Sequence, residues 1–218
     1  MTLAVLFDLD GTLADTAPDL GGALNRMRGR RSFAPLSLDT LRPHASSGAR
    51  GLIGAGFGIA PGHSDYEALR VEFLEDYEAN LMRDTVLFDG VTALLDALEA
   101  RQLFWGIVTN KIERFTLPLV GLLGLDPRAG CVVCGDTTPY AKPHPAPLLE
   151  AARRLDLAPD RCVYVGDDER DIKAARSAGM GAIAAGYGYL GNTPPQEWGA
   201  DHIIQSPGAL LEILGREA

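Results

Sequence analysis

The strongest constraint on the fold is a series of short apolar runs separated by segments of helical periodicity. Leu3–Leu9, Phe104–Thr109, Cys131–Cys134, Cys162–Gly166 and Ala182–Ala185 are nearly continuous in apolar and β-branched residues. Such runs read as strands covered on both faces, the pattern of a parallel sheet. Between them, Thr92–Arg101, Pro145–Leu155 and Asp171–Ala178 carry apolar residues three and four apart, the last stopped by Gly179. His202–Ile204 and Gly208–Leu214 read as a closing strand and helix. Alternation of this kind predicts an α/β fold, a Rossmann-like doubly wound parallel sheet. At 218 residues and 46% hydrophobic, the chain can bury a full core.

Almost a hundred residues separate the first two of these strands. That is too long for one crossover and too long for a structureless loop in a compact domain. The interval has helical patterns of its own at Ala17–Met27, Leu38–Pro43, Ala49–Phe57 and Ser64–Met82. Thr16, three residues before Asp19, gives the first the pattern of a capping box. We therefore expect an α-helical cap domain over residues 15–83, inserted into an α/β core of residues 1–14 and 84–218.

Open parallel sheets bind ligands at the carboxyl ends of their strands. The first strand ends in Asp8-Leu9-Asp10-Gly11-Thr12, the second in Thr109-Asn110, and the fourth in Gly166-Asp167-Asp168-Glu169-Arg170-Asp171. Lys142-Pro143 follows the third. Asp8 and Asp167 would repel unless a cation joined them, and an all-oxygen set with room for water and phosphate suits Mg²⁺. Mg²⁺ and the Lys142 ammonium together would balance a phosphate monoester, which brings about two negative charges. A carboxylate so held can attack phosphorus, while a neighbouring acid protonates the leaving alcohol and then takes a proton from water. Thr109 and Asn110 can donate to the phosphoryl oxygens. Each motif has a plainer reading: a solvated turn for GDDERD, a helix cap for Thr109-Asn110, a solvated lysine at Lys142. DLDG also begins like a calcium loop, but Leu13 stands at the sixth position, where that loop needs glycine.

The balance of 20 Lys and Arg against 29 Asp and Glu gives a net charge of -9, which disfavours nucleic acid as a partner. The glycines and prolines of Ser177–Gln196 exclude a membrane span there, and the first ten residues lack the basic region of a signal peptide. Cys131 and Cys134 are spaced as in a zinc or redox motif. However, no second pair completes a zinc site, and residues three apart on a strand face opposite ways. Buried structural thiols and a reducing cytoplasm are the expectation.

DLDGT, TN, KP and GDDERD, in this order and context, resemble the haloacid dehalogenase superfamily, phosphatase branch, and the resemblance spans the whole chain. It implies that Asp8 is the nucleophile and a metal ligand. Asp10 would be the general acid/base, its backbone carbonyl also meeting Mg²⁺. Thr109 and Lys142 would bind the phosphoryl group, Asp167 would be the acidic metal ligand, and Asp171 would support the metal shell. Asp168 stands where many relatives carry Ser or Thr, which leaves it as an outer acid or a helix N-terminal residue. An acid at Asp10 points to phosphoryl transfer rather than dehalogenation. The resemblance also implies a closing cap, with hinges near Ala14–Thr16 and Arg83–Phe88.

VTNK and AAGYGYLGNTPPQEWGAD further resemble the phosphoglycolate phosphatase-like group, which includes N-acetylmuramic acid 6-phosphate phosphatases. The implied partner is a small phosphorylated metabolite, with no nucleic acid and no membrane, in a monomer or homodimer. A sugar phosphomutase of the same fold and a non-catalytic binding protein are the rival readings. In the cap, His44, Ser47 and Arg50 are either substrate contacts or a solvated turn, with Arg50 favoured for its fork of donors. Trp105 and Trp198 read as packing residues. Tyr187 and Tyr189 either rim the entrance or pack.

Overall fold

The structure is a computed structural model and describes residues 2–191 and 193–216. Strands β1 (Ala4–Phe7), β4 (Phe104–Val108), β5 (Val132–Val133), β6 (Cys162–Gly166), β7 (Gly181–Ala185) and β8 (His202–Ile204) form one six-stranded sheet. Its order is β5-β4-β1-β6-β7-β8, and every pair is parallel. The chain runs outward from β1 in one direction and then, from β6, in the other. The crevice of a doubly wound sheet therefore opens above β1, between β4 and β6.

Each apolar run divides its side chains between two cores, because successive residues of a strand face opposite sides. Val5, Phe7, Val163, Val165 and Ile183 enter one cluster with Leu94, Leu98 and Leu119. Ala4, Leu6, Cys162, Tyr164, Ala182 and Ala184 enter the other with Leu148 and Ile172. The helices on the two faces include α5 (Val91–Ala100), α6 (Glu113–Leu122), α7 (Ala146–Arg154), α8 (Glu169–Ala178) and α9 (Leu210–Arg216). All three cysteines are free and buried beside β5 and β6. Burial pushes the Cys131 and Cys162 thiols up to about 11, so they are poor nucleophiles. Trp105 and Trp198 are buried, their indole N–H groups donating to Glu99 and to the Thr193 carbonyl.

The long interval forms α1 (Ala17–Arg30), α2 (Leu38–Ala45), α3 (Gly48–Phe57) and α4 (Tyr66–Ala79). They share a third cluster built on Leu24, Met27, Leu52, Phe73 and Tyr77, which Phe115 and Tyr189 join from the sheet side. The capping-box reading of Thr16 is corrected. Its hydroxyl makes no cap bond and donates instead to Asp10 at 2.6 Å. Asp19, 3% exposed, accepts from the Asp84 and Thr85 amides and the Thr85 hydroxyl, pinning the start of α1 to the returning chain.

Two elements lie outside the sequence reading. A two-stranded antiparallel ribbon joins β2 (Ala14–Asp15) to β3 (Val86–Leu87) where the chain leaves and re-enters the sheet region. Two-residue strands carry no detectable period. Helix α6 contains Pro118, which breaks the helical pattern in sequence, yet it buries Phe115, Thr116, Leu119 and Val120.

Candidate active site

The site is built at the carboxyl edge of β1, β4 and β6. The chain turns sharply after β1 through Gly11, whose φ of +81° suits glycine. A Cβ there would lie 2.2 Å from an Asp167 carboxylate oxygen, so the bare backbone is what lets the two loops meet. Leu9 is fully buried between Asp8 and Asp10, leaving both acids at the edge. Asp8, Asp167 and Asp171 each bring a carboxylate oxygen within 4.8 Å of the others, the one such group of His, Cys, Asp or Glu among the described residues.

Asp167 is fully buried. It accepts from the Thr12 hydroxyl at 3.1 Å, the Tyr189 amide at 2.9 Å and the Ser46 hydroxyl at 3.2 Å. Burial, followed by the Asp8 and Asp171 carboxylates, still pushes it well above the usual carboxylate range. Such a group gains when a cation enters. Hard oxygen donors of this kind fit Mg²⁺.

Lys142 is buried, and its ammonium lies 2.7 Å from Asp171 and 3.1 Å from Asp8. It also donates to the Tyr164 hydroxyl at 2.6 Å and the Val108 carbonyl at 3.1 Å. Burial alone would lower its pKa, but Asp171 and Asp8 more than reverse this and raise it. Asp171 is pushed up by burial against the pull of Lys142. Its second oxygen accepts from the Asp168 amide at 3.0 Å. Asn110 clamps the Lys142 backbone from both sides, donating to its carbonyl and accepting from its amide, each at 2.9 Å. The buried Thr109 lines the same cavity, its hydroxyl accepting from the Lys111 amide at 3.2 Å.

Asp168 resolves into a cap. It is the N-cap of α8, accepting from the Arg170 amide, while Asp171 reaches back to the Asp168 amide to complete a capping box. Asp168 also grips the Arg170 guanidinium at 2.7 and 2.9 Å. Burial opposes its ionisation, but Arg170 outweighs burial and lowers its pKa. Arg170 in turn donates to the Ser46 carbonyl at 2.8 Å, tying α8 to the chain after α2.

The cavity above these groups measures about 340 Å³ and lies between the sheet edge and the helices α1–α4. Over residues 5–185 the chain matches the family of haloacid dehalogenase-like hydrolases. The chain belongs to that family.

Phosphoglycolate phosphatase of Xanthomonas campestris is 47% identical over 213 residues, covering 96% of this chain and 95% of the relative. N-acetylmuramic acid 6-phosphate phosphatase of Pseudomonas aeruginosa is 41% identical over 214 residues, covering 98% and 95%. A solved structure described as a predicted phosphoglycolate phosphatase from Haemophilus somnus superposes with a TM-score of 0.84 at 27% identity, covering 98% of each chain. This haloacid dehalogenase-like hydrolase is a phosphatase.

Asp8, Asp10, Thr109, Asn110, Lys142 and Asp171 all line the cavity, and Asp167 lies beneath it. Arg50 is not brought to it. That side chain is exposed on α3, outside the lining. His44 is also outside, whereas Ser47 lines the wall. Tyr187 and Tyr189 do not rim the cavity. The Tyr187 hydroxyl donates to the Thr12 carbonyl at 3.0 Å. The Tyr189 hydroxyl accepts from the Thr16 and Ala17 amides at 2.7 and 2.9 Å, locking the start of α1.

The sequence reading assigned no role to Lys111, Ser46 or Arg170, and left Tyr189 either to rim the entrance or to pack. Lys111 is buried, with its ammonium 2.9 and 3.0 Å from the two oxygens of Asp10. Burial alone would lower its pKa, but the charge of Asp10 reverses this and raises it. Its position directly after the Thr109-Asn110 strand end was the available signal. Among the described residues, no helix is long and apolar enough to cross a membrane.

Proposed function

We propose that this protein is a Mg²⁺-dependent phosphomonoester hydrolase in which Asp8 attacks phosphorus and carries the phosphoryl group as an aspartyl phosphate. One observation carries the reading: a buried ammonium, Lys142, held between Asp8 and Asp171 at 3.1 and 2.7 Å, beside a carboxylate that burial keeps short of compensating charge. Asp8, Asp167 and the Asp10 carbonyl would hold the metal, with Asp171 in support. When bound, Mg²⁺ supplies positive charge against the phosphoryl oxygens.

The chain's own groups do the rest. Lys142 and Thr109 hold the phosphoryl group, and Asn110 fixes the Lys142 backbone. Asp8 forms a new P–O bond as the ester P–O bond breaks, and Asp10 gives its proton to the departing alkoxide. Asp10 then takes a proton from the water that attacks phosphorus, which releases phosphate and restores Asp8. Thr16 and Lys111 hold the Asp10 carboxylate in its ionised form, the form that takes the proton from water.

The substrate we infer is a phosphate ester that also carries a carboxylate, as phosphoglycolate and N-acetylmuramic acid 6-phosphate both do. Sequence identity favours the first. The cavity, about 340 Å³, lies within the roughly 300–1,000 Å³ that enclose drug-sized molecules and favours the second.

Purified enzyme should release inorganic phosphate from such esters in the presence of Mg²⁺. Asp8→Asn should lower kcat by at least about 10³-fold with an unchanged melting temperature. Normal turnover in that variant overturns the mechanism. Return of the phosphoryl group to the sugar without net phosphate release would make the protein a mutase.

A further inference from the structure

Helix α4 presents Arg70, Phe73, Leu74 and Tyr77 to the cavity. Their spacing of three and four places them in one stripe along a helix. Leu20 of α1 and Phe115 of α6 line the same space. The far side of the cavity from the acids is therefore an apolar surface with two polar points.

The first polar point is the Tyr77 hydroxyl. Tyr77 is 1% exposed, and among the described residues its hydroxyl is one of two buried side-chain atoms without a hydrogen-bond partner. The Lys111 ammonium sits 4.9 Å from the ring centre and acts on the hydroxyl electrostatically, without a hydrogen bond of normal geometry. A buried hydroxyl left without a partner is costly, so such a group beside a cavity marks a place for a ligand atom. The second point is Arg70. Of the four cations lining the cavity, Lys111 is committed to Asp10, Lys142 to Asp8 and Asp171, and Arg170 to Asp168. Arg70 has only a loose pairing with the exposed Glu67, at 3.5 Å.

We propose that this stripe of α4 is the subsite for the leaving alcohol, and that it selects esters of a bulky alcohol bearing an alkyl or acyl surface, a hydrogen-bonding group for Tyr77 and a carboxylate for Arg70. This rests on the hydrolase reading above. A two-carbon acid has no apolar body to cover Phe73, Leu74 and Phe115. The Tyr77 hydroxyl is the specificity-determining donor, because an alcohol that cannot bond it leaves it buried and unpaired in the complex as well.

Three phosphate esters test the subsite: N-acetylmuramic acid 6-phosphate, N-acetylglucosamine 6-phosphate, which lacks the carboxylate, and phosphoglycolate. The wild-type protein should favour the first over the third by at least about 10²-fold in kcat/KM. Tyr77→Phe should reduce that ratio about tenfold through KM. Its melting temperature should change little, since the hydroxyl has no hydrogen bond of normal geometry in the free protein. Arg70→Gln should reduce the ratio of the first ester to the second about tenfold. A wild-type preference for phosphoglycolate overturns the subsite while leaving the hydrolase reading intact. So do equal effects of both variants on all three esters. Failure to release phosphate from any of the three, or from para-nitrophenyl phosphate, overturns the hydrolase reading and the subsite with it.

Discussion

The Lys111 ammonium holds both carboxylate oxygens of Asp10, at 2.9 and 3.0 Å, with the two residues 101 positions apart in the chain. The pair is nearly closed to solvent, at 7% and 16% side-chain exposure. Breaking a buried pair leaves one charge uncompensated, which is costlier than never having formed it. Lys111→Met should therefore lower kcat by about 10²-fold through misplacement of Asp10. In a double-mutant cycle with Asp10→Asn, steady-state kinetics should show strong non-additivity. Additive losses would mean that Lys111 acts elsewhere.

With Asp167 as a metal ligand, as proposed, metal binding would be linked to pH. Its folded pKa is raised by burial and by the Asp8 and Asp171 carboxylates. For a carboxyl with a raised folded pKa, the stabilising contribution is complete below the unfolded value and is lost as pH rises through the folded one. Metal-free protein should lose that contribution as pH climbs above the ordinary carboxylate range. Mg²⁺ should restore it, so the Mg²⁺-induced rise in melting temperature should grow with pH. Thermal denaturation across a pH series, with and without MgCl₂, reads this directly. A rise independent of pH would contradict it.

Gly188 packs against the loop that carries Asp167. A Cβ there would meet the Asp167 Cβ at 2.2 Å and the Gly11 carbonyl at 2.3 Å, the first atom of a buried side chain and a backbone atom of a second loop. Gly188→Ala should destabilise the fold by about 1–3 kcal/mol and blunt the Mg²⁺ response. Gly121→Ala in α6 meets nothing within 4 Å and should leave the melting temperature unchanged or slightly raised.

Asp19 satisfies three donors at the place where the chain leaves α1–α4. Asp19→Ala leaves all three without an acceptor, the two of Thr85 buried, and should cost about 3 kcal/mol. That corresponds to a fall of roughly 6–12 °C in melting temperature for a chain of this size. Asp19→Asn retains an acceptor oxygen and should lose less. Circular dichroism melts of the two variants separate the outcomes.

The parallel sheet, the inserted helices and the acids at the strand ends were legible because each is written locally. A buried parallel strand needs a continuous apolar run, and the residue after it is set at the working edge by the fold itself. Leu9 between Asp8 and Asp10 shows this within three residues. The β2–β3 ribbon was too short to carry a period, and Pro118 masked α6 although packing retains that helix.

The partners of the acids were decided only by tertiary structure. Lys111 reaches Asp10 across 101 positions, and Tyr189 bonds the Thr16 amide across 173. No periodicity spans such separations. They close because β1 lies between β4 and β6, with β7 beside β6, so strand order brings the loops together. The same holds for α4. Its apolar positions announced a buried face, but only the packed helices bring Arg70 and Tyr77 to the wall of one cavity with Lys142. The chain by itself determined which polar groups stand at the strand ends and on which edge. Distances between remote segments determined what holds those groups and how much room the substrate has.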